Sequence, residues 1–196
     1  MKAKYDTGSL RIIGGRWRSR KLTFPAVDQL RPTANRIRET LFNWLQNGVT
    51  GSRCLDLYAG SGACGLEALS RGAGQVTFLE KNPLAAGAIR NNLAVLGESN
   101  MPVISADVLS WLAAPGTDCQ FDIVFIDPPY KANLEVASCQ ALESSGLLRD
   151  GSLIYLESDK ELPESLFPAN WRLLRSKRAG AVHYVLLERG GNISGD

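Results

Sequence analysis

Residues 53–80 read RCLDLYAGSGACGLEALSRGAGQVTFLE, with the residue types of a strand, a tight glycine turn, a helix and a second strand in succession. RCLDLY is a short apolar run with an acid near its end. Gly60, Gly62 and Gly65 then let the backbone turn sharply and approach a ligand without interference from a Cβ. A helical stretch near 63–72 follows, and QVTFLE is again a strand, stopping on Glu80. A strand, a crossover helix and a strand of this length form the repeating unit of a parallel sheet.

Outward from that unit the same alternation continues. The apolar runs PVISA (102–106), FDIVFID (121–127) and SLIYLE (152–157) are separated by helical stretches near 83–96, 108–113 and 133–144. This predicts an α/β fold, a mostly parallel twisted sheet with helices on both faces. The end breaks the rhythm. WRLLRSK (171–177) and AVHYVLLE (181–188) are joined only by Arg178-Ala179-Gly180, which predicts an antiparallel hairpin at the sheet edge.

Ahead of the sheet, residues 10–22 read as another hairpin: Leu10 to Ile13, a Gly14-Gly15 turn, then Arg16 to Leu22. On such a strand Arg16, Arg18 and Arg20 share one face, because side chains alternate. Trp17 falls on the other face, where it either packs the hairpin down or stacks on a base. Pro32-Thr33 opens a helix with Thr33 as N-cap, and Ala34, Ile37, Leu41, Trp44 and Leu45 recur at helical spacing until Gly48. The chain thus divides into a basic arm and hairpin (1–32), a main domain with its leading helix (33–190) and a tail (191–196).

The composition, 44% apolar and 21% charged over 196 residues, is that of a soluble globular protein. No apolar run approaches the roughly 18 residues that span a bilayer. The N-terminus is basic but has no apolar core, so it does not read as a secretory signal, and a cytoplasmic location is expected. Cys54, Cys64, Cys119 and Cys139 are scattered, and His183 is the one histidine, so no zinc-ligand spacing exists and no metal is expected. The cysteines read as buried thiols and His183 as a strand residue. The net charge of +2 conceals an asymmetry: residues 1–38 carry ten Lys/Arg against two Asp, a surplus of +8, and the remainder is −6. A basic arm on an acidic body suits contact with phosphates, with Arg16, Arg18, Arg20, Lys21 and Arg36 as the candidates. Lys2 and Lys4 read as a solvated terminus.

In open α/β sheets, ligands bind beyond the carboxyl ends of the strands, near the switch in strand order. The first strand runs into the glycine turn. The second ends at Glu80, which can accept both hydroxyl hydrogens of an adenosine ribose. The third ends at Asp107, placed to address an adenine edge. Gly60-x-Gly62-x-x-Gly65 with an acid twenty residues past Gly60 also fits a dinucleotide fingerprint, so these positions alone leave the cofactor open.

The fourth strand leads into Asp127-Pro128-Pro129-Tyr130. An exocyclic amine on a nucleic-acid base is a poor nucleophile, because its lone pair is delocalised into the ring. Attack on a methyl sulfonium requires the nitrogen to become more tetrahedral. Acceptors at its two hydrogens, the Asp127 carboxylate and the Pro128 carbonyl, favour that change. The prolines fix the backbone that aims them. Tyr130 offers a flat face on which an extruded base can stack.

On these residues the chain resembles class I methyltransferases with the [DN]-P-P-[YFW] motif. More closely, it resembles the RsmD family, bacterial enzymes that methylate guanine N2 in small-subunit ribosomal RNA. The likeness runs through RIIGGRWRSRKL (11–22), RPTANRIRETLFNWL (31–45), LDLYAGSGACGLEALSRGA (55–73), FLEKN (78–82), DIVFIDPPY (122–130) and YLE (155–157). Cys64 stands where an aliphatic residue is expected. The resemblance implies S-adenosylmethionine as cofactor. Gly60, Ser61 and Gly62 would line its methionine end, with Asp56, Ala59 and Lys81 beside them. Glu80 would hold the ribose, and Asp107 with Val108 would meet the adenine. Asp127, Pro128, Pro129 and Tyr130 would hold the target base, and Thr33 and Arg36 would close over the site. It further implies direct in-line displacement without a metal, and ribosomal RNA as partner, within the small subunit or its assembly intermediate. A monomer is expected. The target base is nowhere encoded. An adenine-N6 methyltransferase acting on DNA or RNA shares the tetrad, a nicotinamide-dependent oxidoreductase shares the glycines and Glu80, and a non-catalytic RNA-binding module shares the arm.

Overall fold

A computed structural model of the chain describes residues 7–25, 35–114, 119–129 and 132–191. Thr33 and Tyr130, and with them the expected helix cap and stacking ring, lie outside the described residues. Strands β1 (Thr7–Arg11) and β2 (Lys21–Pro25) pair antiparallel and are followed by α1 (Asn35–Trp44). The alternating unit then runs β3 (Arg53–Asp56), α2 (Ala63–Ser70), β4 (Gln75–Leu79), α3 (Pro83–Leu96), β5 (Val103–Ile104), α4 (Val108–Leu112), β6 (Phe121–Ile126) and α5 (Glu135–Ser144). It closes with β7 (Leu148–Ser158), β8 (Trp171–Ala179) and β9 (Val182–Arg189).

Seven strands form one sheet in the order β5-β4-β3-β6-β7-β9-β8. The first five are parallel, and β9 runs against both β7 and β8, so the expected edge hairpin is present. The order reverses between β3 and β6, and this places the glycine turn beside Asp127. Cys54, Ile123, Phe125 and Tyr155 face a core shared with α1, α2, α3 and the N-terminal hairpin. Leu55, Val124, Ile126, Ile154 and Leu156 face the core under α4 and α5. Both faces are covered, which is why these strands read as continuous apolar runs. Local signals set the helix ends. At α3, Asn82 Oδ1 accepts the N–H groups of Leu84 and Ala85 at 2.9 and 3.3 Å, and Gly97 ends the helix in the left-handed region at φ 80°.

The N-terminal hairpin differs from the expectation. Its strands are 7–11 and 21–25, and residues 15–17 form a 3-10 turn between them, so Arg16, Arg18 and Arg20 do not share a strand face. The cause is the end of α2. Ile13 and Gly14 each donate an amide to the Glu67 carboxylate at 2.8 Å, and Trp17 N–H donates to Ser70 Oγ at 3.0 Å. Gly15 has φ 73°, and a Cβ there would lie 1.8 Å from the Ser70 carbonyl oxygen. The Gly-Gly pair therefore serves a close approach to α2 and not a two-residue hairpin turn. Trp17 packs on the core, with the Arg16 guanidinium 4.0 Å from its ring centroid, so it is a packing residue.

Arg38 differs as well. The charge count places it with the basic arm, but it is fully buried. Its guanidinium donates to the Arg11 carbonyl at 2.9 Å and to Asn35 Oδ1 at 2.7 Å, and lies 3.8 Å from Glu67. Burial lowers its pKa, opposed by neighbouring Cys64 and Glu67. Glu67, with no exposed side chain, additionally accepts from Arg71 at 2.7 Å. Removing one member of a buried charge pair commonly costs about 3–5 kcal/mol. Glu67→Ala should lose stability of that order in urea unfolding and speed amide exchange in residues 13–17, whereas Glu67→Gln should lose less. Wild-type stability in Glu67→Ala would contradict this role.

Candidate active site

Past Asp56 the chain continues sheet pairing on both sides. Leu57 N–H donates to the Phe125 carbonyl and Ala59 N–H to the Leu79 carbonyl, each at 3.0 Å. It then turns through Gly60 at φ 53° and Gly62 at φ 79°, a region that L side chains rarely adopt. A Cβ on Gly62 would point at Leu66 and Ile89, 3.0 and 3.3 Å away, so this glycine is required by backbone shape and core packing. At Gly65 a Cβ would lie 2.2 Å from the Phe78 ring, because α2 rests directly on β4. Ala59 and Ser61 are buried within the turn.

Two carboxylates hold this turn. Asp56, buried at the end of β3, accepts the Gly65 N–H at 2.9 Å. Burial pushes its pKa up to about 7 against that hydrogen bond, and the carboxylates of Asp127 and Glu80 push the same way as burial. Glu80, at the end of β4, accepts Gly60 N–H and Asn82 N–H, both at 2.7 Å. One strand further, Lys81 Nζ contacts Asp107 at 3.1 Å, and Asp107 caps α4 by accepting from Ser110 N–H and Oγ at 3.2 Å. These contacts hold Asp107 below the usual carboxylate range, the Ser110 amide contributing most. Val108 is buried in the core on the α4 side. The structure thus brings Asp56, Ala59, Gly60, Ser61, Gly62, Glu80, Lys81, Asp107 and Val108 to the carboxyl ends of β3, β4 and β5.

Asp127 is half-buried just past the end of β6, Pro128 is buried and Pro129 is exposed. Asp56 pairs with Phe125, two residues before Asp127, so the two carboxyl groups share one neighbourhood. Their companion on β7 escapes a reading of the sequence. Phe125 pairs with Tyr155 and Ile126 with Leu156, so continuing the register by one sets Asp127 opposite Glu157. Glu157 is buried and accepts the Tyr155 hydroxyl at 2.7 Å, and burial with the Glu157 charge raises the pKa of that phenol. A signal for it exists, since Glu157 is another acid at a strand end, like Glu80. Cys54, Cys64 and Cys139 are buried as expected, whereas Cys119 is partly exposed.

The expected RNA-contacting residues separate. Arg18, Arg20, Lys21 and Arg36 are exposed, and Arg16 forms an ion pair with Glu98. The Arg16–Arg20 turn sits at the C-terminal end of α2. Gly72, just beyond that end, accepts from Gly51 ahead of β3, so the turn lies at the edge where strands begin. An eight-residue helix of ~12 Å separates it from the ligand edge. By contrast α1 begins beside the first turn of α2, where Arg38 reaches the Ala63 carbonyl at 3.5 Å, which puts Arg36 on the ligand side.

The chemistry follows from charge. A dinucleotide pyrophosphate needs free helix N-terminal amides. Here the carboxyl groups of Asp56 and Glu80 already occupy the amides of Gly65 and Gly60, and Glu80 and Asp127 bring carboxylates to the same ligand edge. Such a pocket suits a cationic sulfonium and sugar hydroxyls, and it opposes a pyrophosphate. A sheet with this order, gathering carboxylates at its switch point, is the framework of class I methyltransferases. The family model described as Conserved hypothetical protein 95 matches residues 10–188. Ribosomal RNA small subunit methyltransferase D of Escherichia coli strain K12 is 46% identical over 183 residues, 93% of this chain and 91% of the relative. Its Haemophilus influenzae counterpart is 43% identical over 183 residues, 92% of this chain and 94% of the relative. The solved structure of the putative methyltransferase yhhF from Escherichia coli matches with TM-score 0.84 at 45% identity, over 94% of this chain and 100% of that one. The chain therefore belongs to this family, represented by the small-subunit ribosomal RNA methyltransferases D.

Asp56 makes a pH-dependent prediction. Folded Asp56 keeps its proton to about pH 7, while an unfolded aspartate releases it near 3.8, so its contribution makes the fold less stable as pH rises between these values. Asp56→Asn should remove that contribution. In urea unfolding of the ligand-free protein, the variant should gain on wild type between pH 4.5 and 7, by at most about 1.4 kcal/mol per pH unit. A constant difference across the window would show that Asp56 titrates normally.

Proposed function

We infer that the protein transfers a methyl group from S-adenosylmethionine to the exocyclic N2 amine of a guanine in small-subunit ribosomal RNA. The observation that carries this reading is the placement of Asp127-Pro128 at the switch point, beside a pocket of carboxylates closed by the glycine turn. The family supplies the RNA. When bound, S-adenosylmethionine supplies a methyl group on a positively charged sulfur. Gly60, Ser61 and Gly62 shape the channel for its methionine end. Glu80 takes the ribose hydroxyls, and Lys81, Asp107 and Val108 border the adenine.

The chain's own residues then prepare the amine. The Asp127 carboxylate and the Pro128 carbonyl accept its two hydrogens, drawing nitrogen out of conjugation and aiming its lone pair at the methyl-donor side. Pro128 and Pro129 stiffen the backbone that carries both acceptors. Tyr130 stacks on the extruded base. The proton lost after transfer passes to Asp127 or to water at the same edge. The substrate is the folded RNA of a small subunit or its assembly intermediate, in the cytoplasm, with the chain acting as a monomer.

Removing one transition-state acceptor commonly costs on the order of 100- to 1000-fold in rate. In single-turnover methylation of saturating subunits, Asp127→Ala should fall by that much while keeping cofactor affinity. Asp127→Asn should fall less, because its amide oxygen still accepts one hydrogen. A near-normal rate for Asp127→Ala would sink this mechanism. In calorimetry with S-adenosylmethionine, Glu80→Ala should lose roughly 1.5–3 kcal/mol of binding, the range for a hydrogen bond to a charged group. Unchanged affinity would place the ribose elsewhere.

A further inference from the structure

We propose that the tip of the C-terminal hairpin, through Arg175, Lys177 and Arg178, is an RNA-contacting surface that holds phosphates flanking the target base. This rests on the function inferred above and assigns to it a contact surface outside the N-terminal arm. The site divides the sheet into two halves. The cofactor residues occupy the ends of β3, β4 and β5, and the base-holding residues follow β6. RNA carrying that base must therefore approach over the other half, β6-β7-β9-β8, because the cofactor fills the first.

Strand register places Lys177 and Arg178 along that path, with Arg175, opposite Leu186, two residues further from the ligand edge. Ile126 pairs with Leu156, Glu157 with Tyr184, and Tyr184 with Lys177. One row therefore reads Asp127, Glu157, Tyr184, Lys177, and the next reads Pro128, Ser158, His183, Arg178. Three strand spacings of about 4.8 Å put the β8 backbone ~14 Å from the acceptors, within reach of the phosphates beside an extruded base. Because β8 runs parallel to β7, its last residues lie at the ligand edge of the sheet.

Arg175, Lys177 and Arg178 are all exposed, and among the described residues none of them forms an ion pair. Asp159 and Glu161, exposed on the loop after β7, do not engage them. Arg172, at the opposite end of the same strand, is neutralised by Glu188. Lysine and arginine on an edge strand also guard against edge-to-edge aggregation. That role accounts for charge anywhere along β8. It does not account for cations that, among the described residues, lack counter-ions only in the half of β8 toward the active site.

The test compares an Arg175→Ala/Lys177→Ala/Arg178→Ala variant, an Arg172→Ala control and wild type on small subunits lacking the methyl mark. The triple variant should bind subunits about tenfold or more weakly at 0.1 M salt. Its salt dependence should flatten by about 0.7–0.9 in slope for each phosphate that is no longer neutralised. Cofactor affinity and the rate on saturating subunits should stay at wild-type values, and Arg172→Ala should match wild type throughout. Wild-type subunit affinity and salt slope in the triple variant would overturn the proposal, and a change confined to solubility would identify the cations as edge guards. Failure of the wild-type protein to methylate subunits would instead remove the functional reading itself.

Discussion

Two carboxylates, Asp56 and Glu80, hold the glycine turn by its amides, and the properties of the site follow from that arrangement. An amide that donates to a protein carboxylate is no longer available to a ligand anion. The same glycine spacing that elsewhere cradles a pyrophosphate here has its amides taken by acceptors from within the protein. What remains is a pocket of acceptors at the ends of neighbouring strands, with Asp127 and Glu157 extending it across the switch point. Burial drives the Asp56 pKa up to about 7, and the neighbouring Asp127 and Glu80 carboxylates push the same way.

A second buried charge centre couples the N-terminal hairpin to this framework. Glu67 gathers two hairpin amides and Arg71, with Arg38 3.8 Å away, while Arg38 reaches back to the Arg11 carbonyl. Such a cluster adds little to stability over an apolar equivalent, yet it fixes geometry, since losing any one partner strands the others. It sets where α1 begins relative to the first turn of α2. The family likeness covers this region as well as the sheet, with the matching segment starting at residue 10.

Much of this is legible in the sequence, for identifiable reasons. The alternation of strands and helices survives because the central strands β3, β4 and β6 are buried on both faces and helix ends carry local signals, such as Asn82 and Gly97 at α3. The candidate site is legible because ligand positions follow strand ends. The hairpin is misphased because Gly14-Gly15 has the composition of a tight turn, and only the distant Ser70 carbonyl explains the second glycine. Arg38 passes for surface charge although it lies three residues before Leu41 and seven before Leu45, on the apolar face; its partner Glu67 is remote in sequence. The cations of β8 are hidden by the acidic total of the body, because summed charge does not record which edge of a sheet carries it.

Which atom receives the methyl group decides between this mechanism and its rivals. Small subunits lacking the mark, incubated with the purified protein and isotopically labelled S-adenosylmethionine, can be digested and mapped by mass. The expected result is label on N2 of guanine at one position in the small-subunit RNA. Label on N6 of adenine, or no transfer to ribosomal RNA, would contradict it.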